Sequence, residues 1–422
     1  MTYRPAHSRR FFLKGAVVAT VAAPAAHRAL AAVSATPSRA NHDSLAEPFF
    51  GTHQAGIASS APKHTYFIAF DMLSSQRDDL IRLLRGWTAL AADMTHASEQ
   101  FERQADRRQT PKSSGAAVGL SHAGLTLTFG FGPSLFEKNG VDRFGLSALR
   151  PEALVELPRF AGDQLVPERC GGDLSIQACA NDPQVVEYAV RRMAKLANGI
   201  AVMRWAQAGF NGNFKPNETP RNQMGFKDGT INVSAKDPQA MNDFVWVGQE
   251  GPAWLRGGSY MVIRPIRISM EHWDEMTLAF QEETVGRHKA TGAPMGKQKE
   301  FDVLGLERED KDGNSIVSEN SHAALSAPEN NGGAQILRRA FSYDNGIARV
   351  AERWPPWRQV MTFDAGLLFQ CYQKDPRTGF TRIFAKMAQI DMLNQFTTHV
   401  GSGLFACPPG AQPDEFIGQA LF

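Results

Sequence analysis

The chain has few cysteines, four in 422 residues. Cys170, Cys179, Cys371 and Cys407 form no CxxC pair and no metal-ligand spacing, which excludes a zinc ribbon and a dithiol redox motif. An excess of either charge is also missing. Lys plus Arg number 45 against 43 Asp plus Glu, a net charge of +2, so nothing in the electrostatics points to nucleic acid. Beyond the N-terminal region no run of about 18 apolar residues occurs, so no lasting membrane span is expected and the mature chain should be soluble.

What the N-terminus does contain is an address. Ser8-Arg9-Arg10-Phe11-Phe12-Leu13-Lys14 is a twin-arginine pattern. An Ala-rich apolar run follows from Gly15 to Ala26, and Ala29-Leu30-Ala31 offers small residues for cleavage. Residues 1–31 are therefore expected to be an export signal, which predicts a periplasmic or otherwise exported protein. Such a compartment would permit a disulfide between Cys170 and Cys179. Against it, residues 171–178 read as a turn leading into a strand.

The remaining chain shows one order of elements twice. In the first half His64 to Met72 alternates like a strand, and Ser75 to His96 has helical periodicity with Leu80, Leu83, Leu84 and Trp87 on one face. Strands follow at Gly124 to Gly132 and Asp173 to Ala180. Asp182-Pro183 starts a helix to Asn198, and Ile200 to Phe210 closes the unit. In the second half the order is strand Gly258 to Ser269, helix Glu271 to Lys289, strands Arg339 to Tyr343 and Leu367 to Tyr372, a helix within Arg377 to Met392, and strand Gly403 to Ala406. The predicted class is α+β, with two tandem ferredoxin-like β-α-β-β-α-β units over residues 40–232 and 233–422, packed through their sheets. The polar stretch from Gly286 to Gly333 is too long to be an idle connection and is read as functional.

The most informative short segment is Gly225-Phe226-Lys227-Asp228-Gly229-Thr230-Ile231-Asn232. Its glycines allow a sharp turn and close approach of the backbone to a flat ligand, and its acid is placed to move protons. An ordinary Asp-Gly turn would look the same in isolation. Downstream come an isolated histidine in Asn320-Ser321-His322-Ala323-Ala324-Leu325, then Leu337-Arg338-Arg339-Ala340-Phe341-Ser342-Tyr343. Together with Gly51-Thr52-His53-Gln54-Ala55-Gly56 near the start and Gly366-Leu367-Leu368-Phe369-Gln370 near the end, this order resembles the dye-decolorising haem peroxidases. It is most similar to their Tat-exported, iron-transport-associated (Efe) branch. A lone GxxDG is weak evidence, whereas several ordered motifs across nearly the whole mature chain are specific.

The resemblance implies one haem b per chain in the C-terminal unit, and no CxxCH occurs that would attach it covalently. His322, one of 11 histidines, matches the proximal iron ligand, with His53 as its rival. A ligating histidine normally gives its other N–H to a carboxylate or carbonyl. Asp375 is expected to be that partner, or else simply to start the helix beside Pro376. Asp228 is implied as the acid that handles the peroxide proton and Arg338 as the group that stabilises developing charge. If that segment is a strand, Arg339 points the other way. Asn232 matches a distal amide that would fix peroxide or water, and Gly229 lies against the ligand. Arg287 either pairs with a haem propionate or ends a solvated helix.

The implied activity is reduction of hydrogen peroxide with oxidation of dye-like or aromatic reductants. Removal of iron from haem with the porphyrin left whole (deferrochelatase) and non-catalytic haem carriage are the alternatives. A chlorite-converting haem enzyme of similar fold lacks the acid at the Asp228 position. Implied partners are peroxide, the reductant and iron-uptake proteins, and self-association into a homo-oligomer is compatible with each.

Overall fold

The computed structural model describes residues 46–96, 114–215, 218–351 and 359–422; the expected export signal, 1–31, lies outside them. In the first half, β1 (His64–Met72), α1 (Arg77–His96), β2 (Thr126–Phe131), the short α2 (Pro133–Phe136), β3 (Leu174–Ala180), α3 (Pro183–Ala197) and β4 (Ala201–Phe210) follow in order. After α4 (Pro238–Phe244) come β5 (Ser259–Ile268), α5 (Met270–Asp274), α6 (Leu278–Val285), α7 (His322–Ser326), β6 (Leu337–Arg338), β7 (Phe341–Ala351), β8 (Gln359–Gln373), α8 (Phe380–Ile390), β9 (Thr397–His399) and β10 (Gly403–Cys407).

Local chemistry accounts for the first unit. The Asp182 side chain accepts from the backbone N–H groups of Gln184 and Val185, and Pro183 occupies the first turn, so α3 starts where its sequence predicts. The apolar residues of α1 recur every three to four positions and turn Leu80, Leu83, Leu84, Trp87 and Ala91 to the sheet. Trp87 is about fully buried, and its indole donates to the Met193 carbonyl of α3 at 2.9 Å. Truncating it to Ala would cost about 3–5 kcal/mol.

The helix expected over 271–289 is broken in two. The Thr277 hydroxyl accepts from Phe280 N–H and begins α6, and Gly286, at φ +83, ends it.

The strands pair antiparallel in the order β4–β1–β3–β2 in the first unit and β10–β5–β8–β7 in the second, the ferredoxin-like order in each. The units join edge to edge. Ala406 of β10 pairs with Phe131 of β2, and Ser342 of β7 pairs with Phe210 of β4. These two contacts close a ring of eight strands, with β6 added beside β8 and β9 beside β5.

Strand residues therefore have two buried faces. On β1, Phe67 and Ala69 face the ring interior, whereas Ile68, Phe70 and Met72 meet the helices. The interior is filled by side chains that include Phe67, Trp205, Ile263, Tyr343, Leu368 and Phe405. Gln177 and Gln370 lie among them and exchange two hydrogen bonds of 2.6 Å. A packed interior leaves no room for a flat ligand, so any large site must lie outside the ring.

All four cysteines are free. Cys170 donates to Val166 O and Cys179 to the Thr65 hydroxyl.

Candidate active site

A deep cavity lies on the outer face of the second unit. Its floor is sheet: Ile266 and Ile268 from β5, Leu367 and Phe369 from β8, Thr397 and His399 from β9. Helix α8 supplies Phe380, Ile383, Phe384 and Met387, and α7 supplies His322. The 222–233 loop forms the remaining wall. The arrangement is a largely apolar slot with a few placed polar groups, as small-molecule and cofactor sites generally are.

Local geometry explains why the loop needs its glycines. Gly225 is at φ +85, and a Cβ there would lie 2.6 Å from Lys289 Cε. Gly229 is at φ +119, where a Cβ would make only an ordinary 3.9 Å contact with Thr219 Cγ2, so its backbone conformation, not crowding, requires glycine. The Asn222 side chain accepts from Met224 and Phe226 N–H, and Arg221 donates to the Gly225, Lys289 and Ala290 carbonyls. Lys227 forms an ion pair with Glu300, to which Thr230 also donates at 3.1 Å. Burial raises the Glu300 pKa, but the hydrogen bonds from Lys227, Thr219 and Thr230 outweigh it and the net shift is downward.

Asp228 meets Arg338 at this wall. Arg338 Nη1 donates to Asp228 Oδ1 at 2.8 Å, and both side chains stay partly open to the cavity. The next residue lies just past the end of β6, outside the strand expected from 339, and still points away from the cavity. Arg339 is 7% exposed and reaches the Ser59 carbonyl.

Asn232 behaves differently from expectation. Its Nδ2 donates to Arg338 O at 2.9 Å, and its Oδ1 accepts from Arg338 N–H at 2.8 Å. An amide that satisfies both backbone groups of one residue positions that residue, so Asn232 sets Arg338 while it also lines the cavity.

His322 stands in the first turn of α7, where Ser321 caps the helix by accepting from Ala324 N–H. Its Nδ1 contacts Asp391 Oδ2 at 2.8 Å. The expected partner, Asp375, is elsewhere: it caps the Arg377 backbone and pairs with the Arg377 guanidinium at 2.8 Å. Asp391 ends α8, has a side chain 3% exposed, and also accepts from Leu393 N–H. Burial lowers the His322 pKa, but the Asp391 carboxylate more than offsets this, so the net shift is upward. An imidazole whose Nδ1–H is held by a buried carboxylate keeps Nε2 as the basic nitrogen, which is the form a metal ligand needs. His53, the rival, donates from Nδ1 to Gly257 O at 2.6 Å and stacks on Trp246 with centroids 3.8 Å apart, and it does not line the cavity.

Arg287 lines the cavity and is buried rather than solvated. One of its nitrogens, Nη1, donates to the Gly292 and Glu300 carbonyls, and burial lowers its pKa.

Residues 54–211 match the model of the Dyp-type peroxidase N-terminal domain, and residues 219–412 match that of the C-terminal domain. A dye-decolorizing peroxidase of Thermobifida fusca (strain YX) is 37% identical over 383 residues, which cover 87% of this chain and 83% of that protein. The chain belongs to the Dyp-type peroxidase family. A deferrochelatase of Escherichia coli (strain K12) is 35% identical over 428 residues, covering 98% of this chain and 96% of that protein. The solved structure of ferric DtpA from Streptomyces lividans shares 36% identity and a TM-score of 0.79, covering 90% of this chain and 98% of that one.

Dyp-type peroxidases are haem enzymes, and the donor set fits that group. One imidazole is held with its basic nitrogen free, a paired acid and guanidinium stand at another wall, and aromatic and aliphatic side chains make up most of the rest. Among the described residues no group of three or more His, Cys, Asp or Glu could hold a bare metal ion, and the cavity is lined by two imidazoles, His322 and His399. Asp391 escaped the sequence reading. Its only local signal is an acid at the end of a predicted helix beside an apolar turn, and Asp375 at the other end looks equally suitable.

Proposed function

We propose that this chain is a haem b peroxidase that reduces hydrogen peroxide and oxidises dye-like or aromatic reductants, with the haem held non-covalently by His322. The observation that supports this most is the Asp228–Arg338 pair in the same cavity as the His322–Asp391 pair. The bound haem iron would supply the centre that accepts peroxide and passes electrons.

The protein's own groups do the rest. Asp228 accepts the proton of the incoming peroxide oxygen and returns it to the departing one, so water leaves instead of hydroxide. Arg338 places positive charge where negative charge develops, already oriented by Asn232 through its backbone and by Asp228 through its side chain. Asp391 fixes the His322 tautomer. Arg287 offers its remaining nitrogens to a propionate. Lys227, Thr230 and Glu300 tie the 222–233 loop to the 286–333 segment and keep the wall in place.

A second reading, release of iron from haem with the porphyrin intact, is favoured by the deferrochelatase relative that matches along 98% of the chain. The same cavity would serve both. The family and the twin-arginine pattern support export to the periplasm, where iron-uptake proteins would be partners. Steady-state peroxide consumption with a dye reductant tests the first reading, and the His322→Ala variant should lose it. Metal-free protoporphyrin appearing after incubation with haem, without peroxide turnover, would replace the first reading with the second.

A further inference from the structure

Behind the cavity floor lies a buried charged cluster with no assigned task. Arg264 on β5 is fully buried and forms an ion pair with Asp163. Its guanidinium packs over the rings of Phe160 and Phe384 at 5.2 and 5.4 Å. Its Nε donates to His399 Nδ1 at 2.8 Å. An arginine nitrogen can only donate, so Nδ1 of His399 must accept and its proton must sit on Nε2. Burial and the Arg264 charge both push the His399 pKa well below the usual value, so the ring stays neutral in this tautomer.

His399 is 9% exposed and lines the cavity, and among the described residues no protein atom bonds to its Nε2. Arg264 Nη1 is likewise buried without a protein partner. The cluster is therefore short of acceptors behind and beside a floor that otherwise consists of Ile266, Ile268, Leu367, Phe369 and Thr397.

The other donors of the cavity are largely committed. Lys227 serves Glu300, Arg338 serves Asp228 and His322 serves Asp391. A haem carries two propionates, and Arg287 alone can attend to only part of that demand.

We propose that His399, its tautomer set by Arg264, is a cofactor-binding residue that donates its Nε2–H to a haem propionate carboxylate. Arg264 and Asp163 are positioning residues: the guanidinium polarises the imidazole from behind, and the acid keeps that buried charge compensated. The inference rests on the haem reading above.

The test compares haem b with its dimethyl ester, which lacks the carboxylates. Full-length protein is loaded with either porphyrin, and the rate of loss to an excess of a haem-scavenging apoprotein is followed by the Soret band. His399→Phe should lose haem b about ten- to hundredfold faster than wild type, the effect of one hydrogen bond to a charged group, and should lose the diester at the wild-type rate. His399→Gln, which keeps an N–H donor, should recover much of the haem b retention, whereas His399→Met should behave as Phe and replaces it if the Phe variant does not fold. Equal acceleration for both porphyrins would show that the ring merely packs and would overturn the proposal, as would no acceleration for either. A wild-type protein that retains neither porphyrin would overturn the haem reading itself, whereas retention of both at unchanged rates in the variants would sink this inference alone.

Discussion

Replacing Asp391 with Asn tests the centre of the site with a change of very few atoms. Asn can still accept from Leu393 N–H through its carbonyl oxygen, so the turn after α8 should survive. What it cannot do is accept His322 Nδ1–H as a charge. The contact is 2.8 Å long and the Asp391 side chain is 3% exposed, so the carboxylate acts with little screening. Charge-assisted hydrogen bonds of this kind contribute about 1.5–3 kcal/mol. With the oxygen kept at Leu393 the amide turns its NH2 toward His322, and the imidazole must move its proton to Nε2 and loses its basic nitrogen on that side; with the oxygen turned to His322 the acceptor is neutral and Leu393 N–H loses its partner. Both routes predict haem affinity lower by about ten- to a hundredfold. A less basic imidazole also stabilises ferric iron less, so the ferric/ferrous potential should rise. The assay is haem loss to a scavenger together with spectroelectrochemical titration, run beside Asp375→Asn. Asp375 is bound to Arg377 away from His322, so that variant should match wild type in both measurements. If Asp375→Asn shifts the potential while Asp391→Asn leaves it unchanged, the assignment of the His322 partner is refuted.

Four further outcomes are expected. Arg338→Leu should slow the peroxide-induced change of the Soret band by about 100- to 1,000-fold and Asp228→Asn by about 100- to 10,000-fold; a double variant near wild-type speed would refute this site. Changing Arg9 and Arg10 to Lys keeps the charge but should leave a longer precursor in the cytoplasm, seen by fractionation, because the pair is read as an address. Asp163→Ala should destabilise the fold by about 3–5 kcal/mol in chemical denaturation, since it strands the fully buried Arg264. Because His399 is held well below its ordinary pKa, the unfolded chain binds a proton that the folded one refuses; stability should therefore fall as pH drops below about 6.5, and His399→Phe should flatten that slope in thermal melts taken across this range.

The first unit follows its sequence closely because its signals are local. Alternation defines β1, the three-to-four spacing defines α1, and an Asp-Pro start defines α3, so the observed limits differ from the expected ones by about two residues or fewer. The hairpin of β7 and β8 is less well marked. Both strands run far beyond the expected 339–343 and 367–372, and the extensions carry exposed Ile347, Met361 and Phe363 with no clean in-out pattern. At the site, the motif positions that line the cavity were visible as motifs. The choice between Asp375 and Asp391 was not visible, because the two acids flank α8, a helix about 16 Å long, and no local signal says which end approaches α7. The role of Asn232 was hidden for the same reason. It depends on a bond to the backbone of a residue 106 positions away.

The two single-residue seams of the strand ring have a consequence for how the protein is made. Until β10 and β7 exist, β2 and β4 are bare borders of the first unit, each with a row of unpaired amides and carbonyls. Those borders wait for Ser342 and Ala406, which lie well over 100 residues further along the chain. Because synthesis runs from the N-terminus, the first unit can gather its own core on the ribosome while still exposing a template for another nascent chain. The ring can close only after β10 has been made. A premature stop before β10 would therefore do more than delete one strand: it would leave a lasting adhesive border on an otherwise assembled half.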